Sequence, residues 1–494
     1  MVCISPAEKS DIGFFKTRRT GQREGSGIIL KQESMQTENL GEPLRQMRDY
    51  YDSGATRSYA FRRQQLLALR QAVLSSEQQI SIALHSDLGK SPEEVYGTET
   101  GLLLAEISTA LKHLRDWMHP VTVATNLVNL PSRSKIFRDP LGVVLIIAPW
   151  NYPFQLALIP LVGAIAAGNC AVVKPSELSP ATSALMEKII SSIYAPQYVR
   201  VLTGEGAVLV PALMQSFRFD HVFYTGSIAV GKAVYKLAAP ELVPVTLELG
   251  GKSPVVIEAD ANLAVAARRI ALGKFLNCGQ TCIAPDYLLV HETVKDRFLN
   301  MLQDTIRQFF GEDPAASYSY GKIINEKQFD RLLGYLSMGR VVFGGGYDRT
   351  RRYFAPTLID QVALDSPLMT EEIFGPLLPV FGFSRTDEAL DLIRRNPNPL
   401  AFYLFTASRQ TEKQWIEALA FGGGCVNNTS WHFANDHLPF GGIAYSGTGA
   451  YHGKYTFDLF SHAKPVMKTP TWIDPSIRYP PFEGKLKWFR RLIK

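Results

Sequence analysis

From Leu141 to Val173 the chain carries no charged side chain, and this stretch restricts its fold more than any other. An apolar run of that length could cross a bilayer. Its interior argues otherwise. Pro149, Trp150, Asn151, Tyr152 and Pro153 interrupt it, and Pro160 follows. The run therefore divides into a buried strand, LGVVLIIAP (141–149), then a functional loop, then a buried helix. A Val- and Ile-rich strand without polar alternation belongs in a parallel sheet covered on both faces. No transmembrane span is expected.

Similar strand patterns recur downstream. NCAVVKPSE (169–177), VRVLTG (199–204), HVFYTG (221–226) and VPVTLELGG (243–251) alternate with helical segments. That rhythm predicts an open parallel α/β sheet wound on both faces. A second α/β region runs from about 252 to 445. There SPVVIEAD, DYLLVHE and AFYLFTA read as strands, and NLAVAARRIALGKFL and VKDRFLNMLQDTIRQFF as helices. Upstream, FRRQQLLALRQAVL (61–74) and GTETGLLLAEISTALKHLRDWM (97–118) have helical periodicity.

The ends differ from the body. Residues 1–34 carry six Lys/Arg against four Asp/Glu and read as a disordered leader. Residues 471–494 carry six against two and close on a basic amphipathic segment, GKLKWFRRLIK. The net charge of +6 lies wholly in these two ends. A neutral body speaks against a nucleic-acid partner. The basic end could touch an anionic membrane surface weakly. The chain start has neither a basic n-region nor an apolar h-region, so no secretory signal is expected. Five cysteines, odd in number and without metal-type pairing, predict no metal site and a reducing, cytoplasmic compartment.

Several segments carry candidate chemistry. NCGQTCIAPDY (277–287) holds Cys282 among small and polar neighbours, where a thiol can act as a nucleophile. Cys278 competes with it, and either could be a buried small hydrophobe. In VTLELGGKSP (246–254), Glu248 falls on the face opposite Val243, Val245, Leu247 and Leu249. It sits beside a Gly-Gly turn, where it could act as a base or stand in solvent. In PWNYPF (149–154), Asn151 follows the first strand and could donate to an oxyanion. No good GxGxxG follows that strand. Instead FYTGSIAVGKAV (223–234) places Gly226 and Ser227 at a helix start suited to a pyrophosphate. Lys174 or Glu177 in KPSE could bond a ribose. Glu372 and Phe374 in EEIFGP are further candidates, with a helix N-terminus as the plain alternative for the acid.

Taken together and in this order, PWNYPF, KPSE, the TGS before a helix, ELGGKSP, GQTC, EEIFGP and PFGG resemble the aldehyde dehydrogenase superfamily. The resemblance covers about residues 45–468. VTLELGGKSP, CGQTCIAPDY, AYHGKY and the FSH at 460–462 look like its class 3 branch. The resemblance implies an aldehyde dehydrogenase-like fold with four parts. A Rossmann-type cofactor domain would use 35–118 and 141–247, and an α/β catalytic domain 248–447. A small β oligomerisation arm would use 119–140 and 448–468, with 469–494 as a basic tail. It implies a homodimer.

It also implies oxidation of aliphatic or aromatic aldehydes to carboxylic acids. Cys282 would be the nucleophile. Asn151 and the Cys282 N–H would form the oxyanion hole, and Glu248 would activate water. Trp150, Lys174, Glu177, Gly226, Ser227, Glu372 and Phe374 would contact the cofactor. NAD is expected, with NADP tolerated, because an acid at 177 disfavours a 2′-phosphate.

The chain departs from the branch at IAYSG (443–447), where Ala444 and Tyr445 replace residues that are usually Gly and Asn. Tyr445, His432 and Trp431 are candidate pocket walls. An acylating enzyme using coenzyme A is disfavoured by Glu248. A cysteine hydrolase without nicotinamide is disfavoured by the cofactor segments. A binding protein without turnover is disfavoured by the intact Cys282, Glu248 and Asn151.

Overall fold

The computed structural model describes residues 40–493. The expected leader, residues 1–34, lies outside them. Two parallel sheets organise the chain. In the first, β1 (Val143–Ile147), β2 (Cys170–Lys174), β3 (Val199–Val201), β4 (His221–Thr225) and β5 (Val245–Glu248) lie in the order β5-β4-β1-β2-β3. All five run parallel. The second sheet contains β6 (Pro254–Ile257), β7 (Tyr287–His291), β8 (Arg340–Phe343), β9 (Thr357–Asp360), β10 (Leu377–Phe383), β11 (Ala401–Phe405) and β12 (Gly423–Val426), in the order β8-β9-β10-β7-β6-β11-β12. Only its β8 edge is antiparallel. The chain then returns to the first sheet, where β13 (Gly447–Thr448) pairs antiparallel with β5.

The uncharged stretch folds as its prolines suggest. All five residues of β1 are buried. A loop follows, then a helix at Gln155–Ala167 whose every residue is buried. Pro160 sits inside that helix and removes one of its backbone bonds. A Cβ on Gly163 would stand 2.1 Å from Thr456 Cγ2, so only glycine lets the helix at Lys454–Leu459 pack this closely. Among the described residues no helix is long and apolar enough to cross a membrane.

Two segments depart from expectation, one from its helical periodicity and one from the arm that the resemblance implies. The helical pattern from 97 begins as a π-turn, Tyr96–Thr100, and becomes α-helical only at Gly101–Met118. Of the segment 448–468, Thr448 belongs to the first sheet and Lys454–Leu459 is helical. Only Ser461–Lys468 joins the three-stranded antiparallel sheet, with Val121–Val123 and Arg133–Pro140. Ser461–Lys468 forms an edge of that sheet. The basic end contains a short helix, Leu486–Leu492. Arg478 ties the preceding turn to the backbone oxygens of Val128 and Leu130.

Candidate active site

The winding of the first sheet reverses between β1 and β4, and their outgoing connections part there. Ligands in open α/β sheets bind in such a crevice at the carboxyl ends of the strands. The loop after β1 supplies Trp150 and Asn151, the turn after β4 supplies Gly226 and Ser227, and β5 ends on Glu248. The second sheet brings two more loops. One follows the helix Leu263–Phe275 and carries Cys282. The other precedes β10 and carries Glu372 and Phe374.

The loop carrying Cys282 has an unusual backbone. Asn277, Cys278 and Gly279 adopt φ of 50°, 52° and 71° in succession. Left-handed backbone costs about 1–2 kcal/mol at a residue with a Cβ, so the surroundings must hold it. Polar side chains do so. Asn277 Nδ2 donates to the backbone oxygens of Asn151 (2.9 Å) and Gln280 (3.2 Å). Gln280 Nε2 donates to Asn277 O and Lys322 O, both at 3.0 Å, and its Oε1 accepts the Ile324 N–H at 3.0 Å. Asn151 Nδ2 donates to Gln280 O at 3.0 Å, and Tyr152 and Thr281 share a hydroxyl bond of 2.7 Å. The oxyanion candidate and the nucleophile loop are thus bonded to each other.

Cys282 lines two cavities at once. One, of about 860 Å³ including its open mouth, is walled by Leu156, Leu272, Leu276, Ile283 and Phe440 and also reaches Glu248. The other is bounded by Trp150, Asn151, Gly226, Ser227, Glu372 and Phe374, and again by Glu248. Cys278 lines neither. It is fully buried beside Tyr320 and Gly321.

Burial dominates the electrostatics. Glu248 is 2% exposed, neither carboxylate oxygen meets a protein donor, and desolvation pushes its pKa well up. The solvent reading of Glu248 therefore fails. The strand that carries it is covered on both faces. Enclosure, followed by the Glu372 and Glu248 carboxylates, pushes the Cys282 thiol up. Burial and then Asp286 raise Glu372 to about 8, against opposing contributions from the Gly251 N–H, Lys252 and Arg331.

On the polar side, Ser227 caps the helix Ile228–Ala238 by accepting the Val230 N–H. Phe374 stands edge-on to Trp150, ring centres 5.2 Å apart. Its segment begins no helix, so the helix-terminus alternative for Glu372 does not apply. Sequence reasoning missed how that segment is held. Lys252 pairs with Asp286 and donates to Leu368 O (2.8 Å) and Glu371 O (3.0 Å), while Asp286 accepts the Ile373 N–H (3.1 Å). Lys252 lay in view within ELGGKSP, but nothing in the spacing named its partners. Lys174 and Glu177 pair with each other at the end of β2, and Glu177 also accepts the Gly206 N–H. Burial alone would raise Glu177, yet the bonds from Lys174 and Gly206 hold it below the ordinary value. Neither residue lines the cavity that holds Ser227 and Glu372.

Of the pocket-wall candidates, only Trp431 lines the apolar cavity. His432 stacks on Phe440 and its Nδ1 stands 3.6 Å from Cys425 Sγ. Tyr445 is 60% exposed, on a 3-10 turn that points it away. Short turns carry no periodicity from which either direction could be read.

A model described as the aldehyde dehydrogenase family matches residues 24–466. The chain belongs to the aldehyde dehydrogenase family. This dehydrogenase is 46% identical over 453 residues to a 4,4'-diaponeurosporen-aldehyde dehydrogenase of Staphylococcus aureus, covering 90% of this chain and 98% of that one. It is 43% identical over 448 residues to aldehyde dehydrogenase family 3 member A2 of Rattus norvegicus, covering 90% and 92%. Its fold matches a substrate-bound AldH of Staphylococcus aureus with a TM-score of 0.90, at 44% identity over 92% of this chain and 99% of that one. It matches an indole-3-acetaldehyde dehydrogenase in complex with NAD+ with a TM-score of 0.80, at 28% identity over 88% and 89%.

The nucleophile loop of this dehydrogenase yields one stability prediction. A Cβ on Gly279 would meet Gly375 O at 2.3 Å on a backbone already left-handed. Gly279→Ala should destabilise the protein by about 1–3 kcal/mol, measured by urea unfolding. An unchanged midpoint would refute the packing argument.

Proposed function

We propose that Cys282 is the nucleophile of this aldehyde dehydrogenase, that Asn151 and the Cys282 N–H bind the oxyanion, and that Glu248 activates water. The observation that carries the reading is the place of Cys282, at the junction of an apolar cavity and a more polar one, with Glu248 on both. The sulfur adds to the aldehyde carbon, and the carbonyl electron pair moves to oxygen, where the Asn151 amide meets it. Departure of a hydride from that carbon leaves a thioester on Cys282. Water then loses a proton to Glu248 and adds to the thioester carbon. The carbon–sulfur bond breaks, releasing a carboxylic acid and the thiolate.

The residues present fit a nicotinamide dinucleotide. The N-terminus of the helix capped by Ser227 offers free N–H groups to a pyrophosphate. Glu372 Oε1 is buried without a donor, as an acceptor for a ribose hydroxyl would be. Gly250 keeps that space clear, since a Cβ there would stand 2.0 Å from Glu372 Oε2. Bound there, the nicotinamide supplies the two-electron acceptor for the hydride. Lys174 and Glu177 would serve the adenosine ribose at the end of the neighbouring strand. Because Glu177 stays ionised, a free 2′-hydroxyl suits it better than a phosphate. NAD+ should therefore give the higher kcat/KM, with NADP+ tolerated; steady-state rates with both cofactors check this, and a strong NADP+ preference would contradict it.

The apolar walls favour aliphatic or aromatic aldehydes. At the rim, Gly97 has nothing within 4 Å of a Cβ position, which leaves room for a chain extending outward. The arm's edge strand Ser461–Lys468, whose outer side pairs with no other strand among the described residues, supports a homodimer through the arm. We place the enzyme in the cytoplasm, with its basic end free to rest weakly on an anionic membrane surface.

Two variants separate the cysteines. Cys282→Ala should abolish nearly all NAD+ reduction, whereas Cys278→Ala, though it loosens a buried contact, should keep most of it. The reverse pattern would show the nucleophile misassigned. Glu248 tests the second half of the cycle. Glu248→Gln should slow turnover by about 10²–10⁴-fold while a rapid burst of reduced nicotinamide persists. In the parent enzyme both Cys282 and Glu248 work deprotonated and both are pushed up, so activity should climb with rising pH. Loss of the burst in Glu248→Gln would move Glu248 out of deacylation.

A further inference from the structure

We propose that the buried ion pair Lys90–Glu99 is a positioning device that aims Asn151 at the developing oxyanion. The inference rests on the oxyanion role assigned above to Asn151. Lys90 and Glu99 have no exposed surface. Lys90 Nζ donates to Glu99 Oε1 at 2.7 Å and to the backbone oxygen of Asn151 at 3.0 Å, and it lies 3.9 Å from the centre of the Tyr152 ring. The other oxygen of Glu99 accepts the Gln155 N–H at 2.9 Å. The pair thus grips the loop after β1 at its middle, by the carbonyl of Asn151, and at its far end, by the first N–H of the helix that follows.

The same carbonyl also accepts Asn277 Nδ2, and the backbone N–H of Asn277 is taken by Glu94 Oε1 at 3.0 Å. Lys90, Glu94 and Glu99 therefore address both loops from one short stretch of chain. The π-turn makes this possible. Glu94 and Glu99 are five residues apart, roughly 140° around a regular α-helix. In the wider turn, where the Gly101 N–H reaches Tyr96 O, both face inward.

Packing alone does not require these charges. An apolar pair of similar volume commonly fills such a space with equal or greater stability. What the charges add is direction, since the ammonium and the Asn277 amide together fix the plane of the Asn151 carbonyl. That plane sets where the Asn151 side chain points. Oxyanion donors act only when held about 2.7–3.1 Å from the oxygen as it becomes negative. Their misplacement by about 1 Å can cost on the order of 10²-fold in rate.

The test uses the full chain, a double variant of the pair, Asn151→Ala and the two combined. Lys90→Met alone strands a buried carboxylate and could unfold the protein. The double variant Lys90→Met/Glu99→Gln removes both charges. The readouts are the pre-steady-state rate of NAD+ reduction, the Kd for NAD+ and the melting temperature, each also in an Asn151→Ala background. The double variant should fold and bind NAD+ as the parent does, yet reduce it about tenfold or more slowly. In the Asn151→Ala background the same change should slow the reaction by less than about twofold, because the group being aimed is gone. An equal loss in both backgrounds, no loss in the parent background, or failure of the double variant to fold would each overturn the proposal. If Asn151→Ala itself reacts at the parent rate, the oxyanion assignment fails instead, so the two failures are distinguishable.

Discussion

The chain leaves β1 toward one side of the first sheet and β4 toward the other, and the gap this opens is the constraint on which the site depends. What the first sheet gives the crevice enters from carboxyl ends: Asn151 after β1, Ser227 after β4, Glu248 at the end of β5. The candidate nucleophile, Cys282, does not come from that sheet. It arrives on a loop from the second sheet, with no regular structure of its own. Two sheets must therefore agree on the placement of a few atoms. The hydrogen bonds from Asn277 to Asn151 and from Asn151 to Gln280 join them where that agreement matters.

The electrostatic setting has one cause repeated. Cys282 and Glu248 line the apolar cavity and Glu372 the neighbouring one, and burial pushes each of them toward its neutral form. A group raised in this way is ionised less often and is a stronger base when it is. The site exchanges readiness for strength, a reasonable choice for a nucleophile and a base whose partners are carbonyl carbons. Two ion pairs, Lys252–Asp286 and Lys174–Glu177, support backbone and turns at the cofactor end, and Asp286 and Lys252 also act on Glu372.

Much of this was legible in the sequence, for physical reasons that can be named. The absence of charge over 141–173, with prolines at its centre, admits few arrangements other than strand, loop and buried helix. The turn residues after each strand mark the crevice, because ligands collect at carboxyl ends. Other features were opaque. Cys278 and Cys282 differ in exposure, which spacing does not encode. Glu248 has the parity of an outward residue, but parity cannot reveal that the outward face is also covered. His432 and Tyr445 lie in or beside 3-10 turns, where side-chain direction follows no period. Nothing in the spacing of Lys90, between Gly89 and Ser91, or of Glu99 marks either as buried, and the carbonyl that Lys90 holds lies 61 positions away.

The π-turn at Tyr96–Thr100 carries a consequence of another kind. It contains one residue more than a regular helix would need and takes that residue up without turning its flanks out of phase. Without Gly97, Glu94 and Glu99 would stand four residues apart, about 40° around a regular α-helix, and would still share a face. The wide turn therefore makes this part of the protein more tolerant of a change in the count of its residues than a regular helix would be, while Lys90 keeps its side of the grip on Asn151.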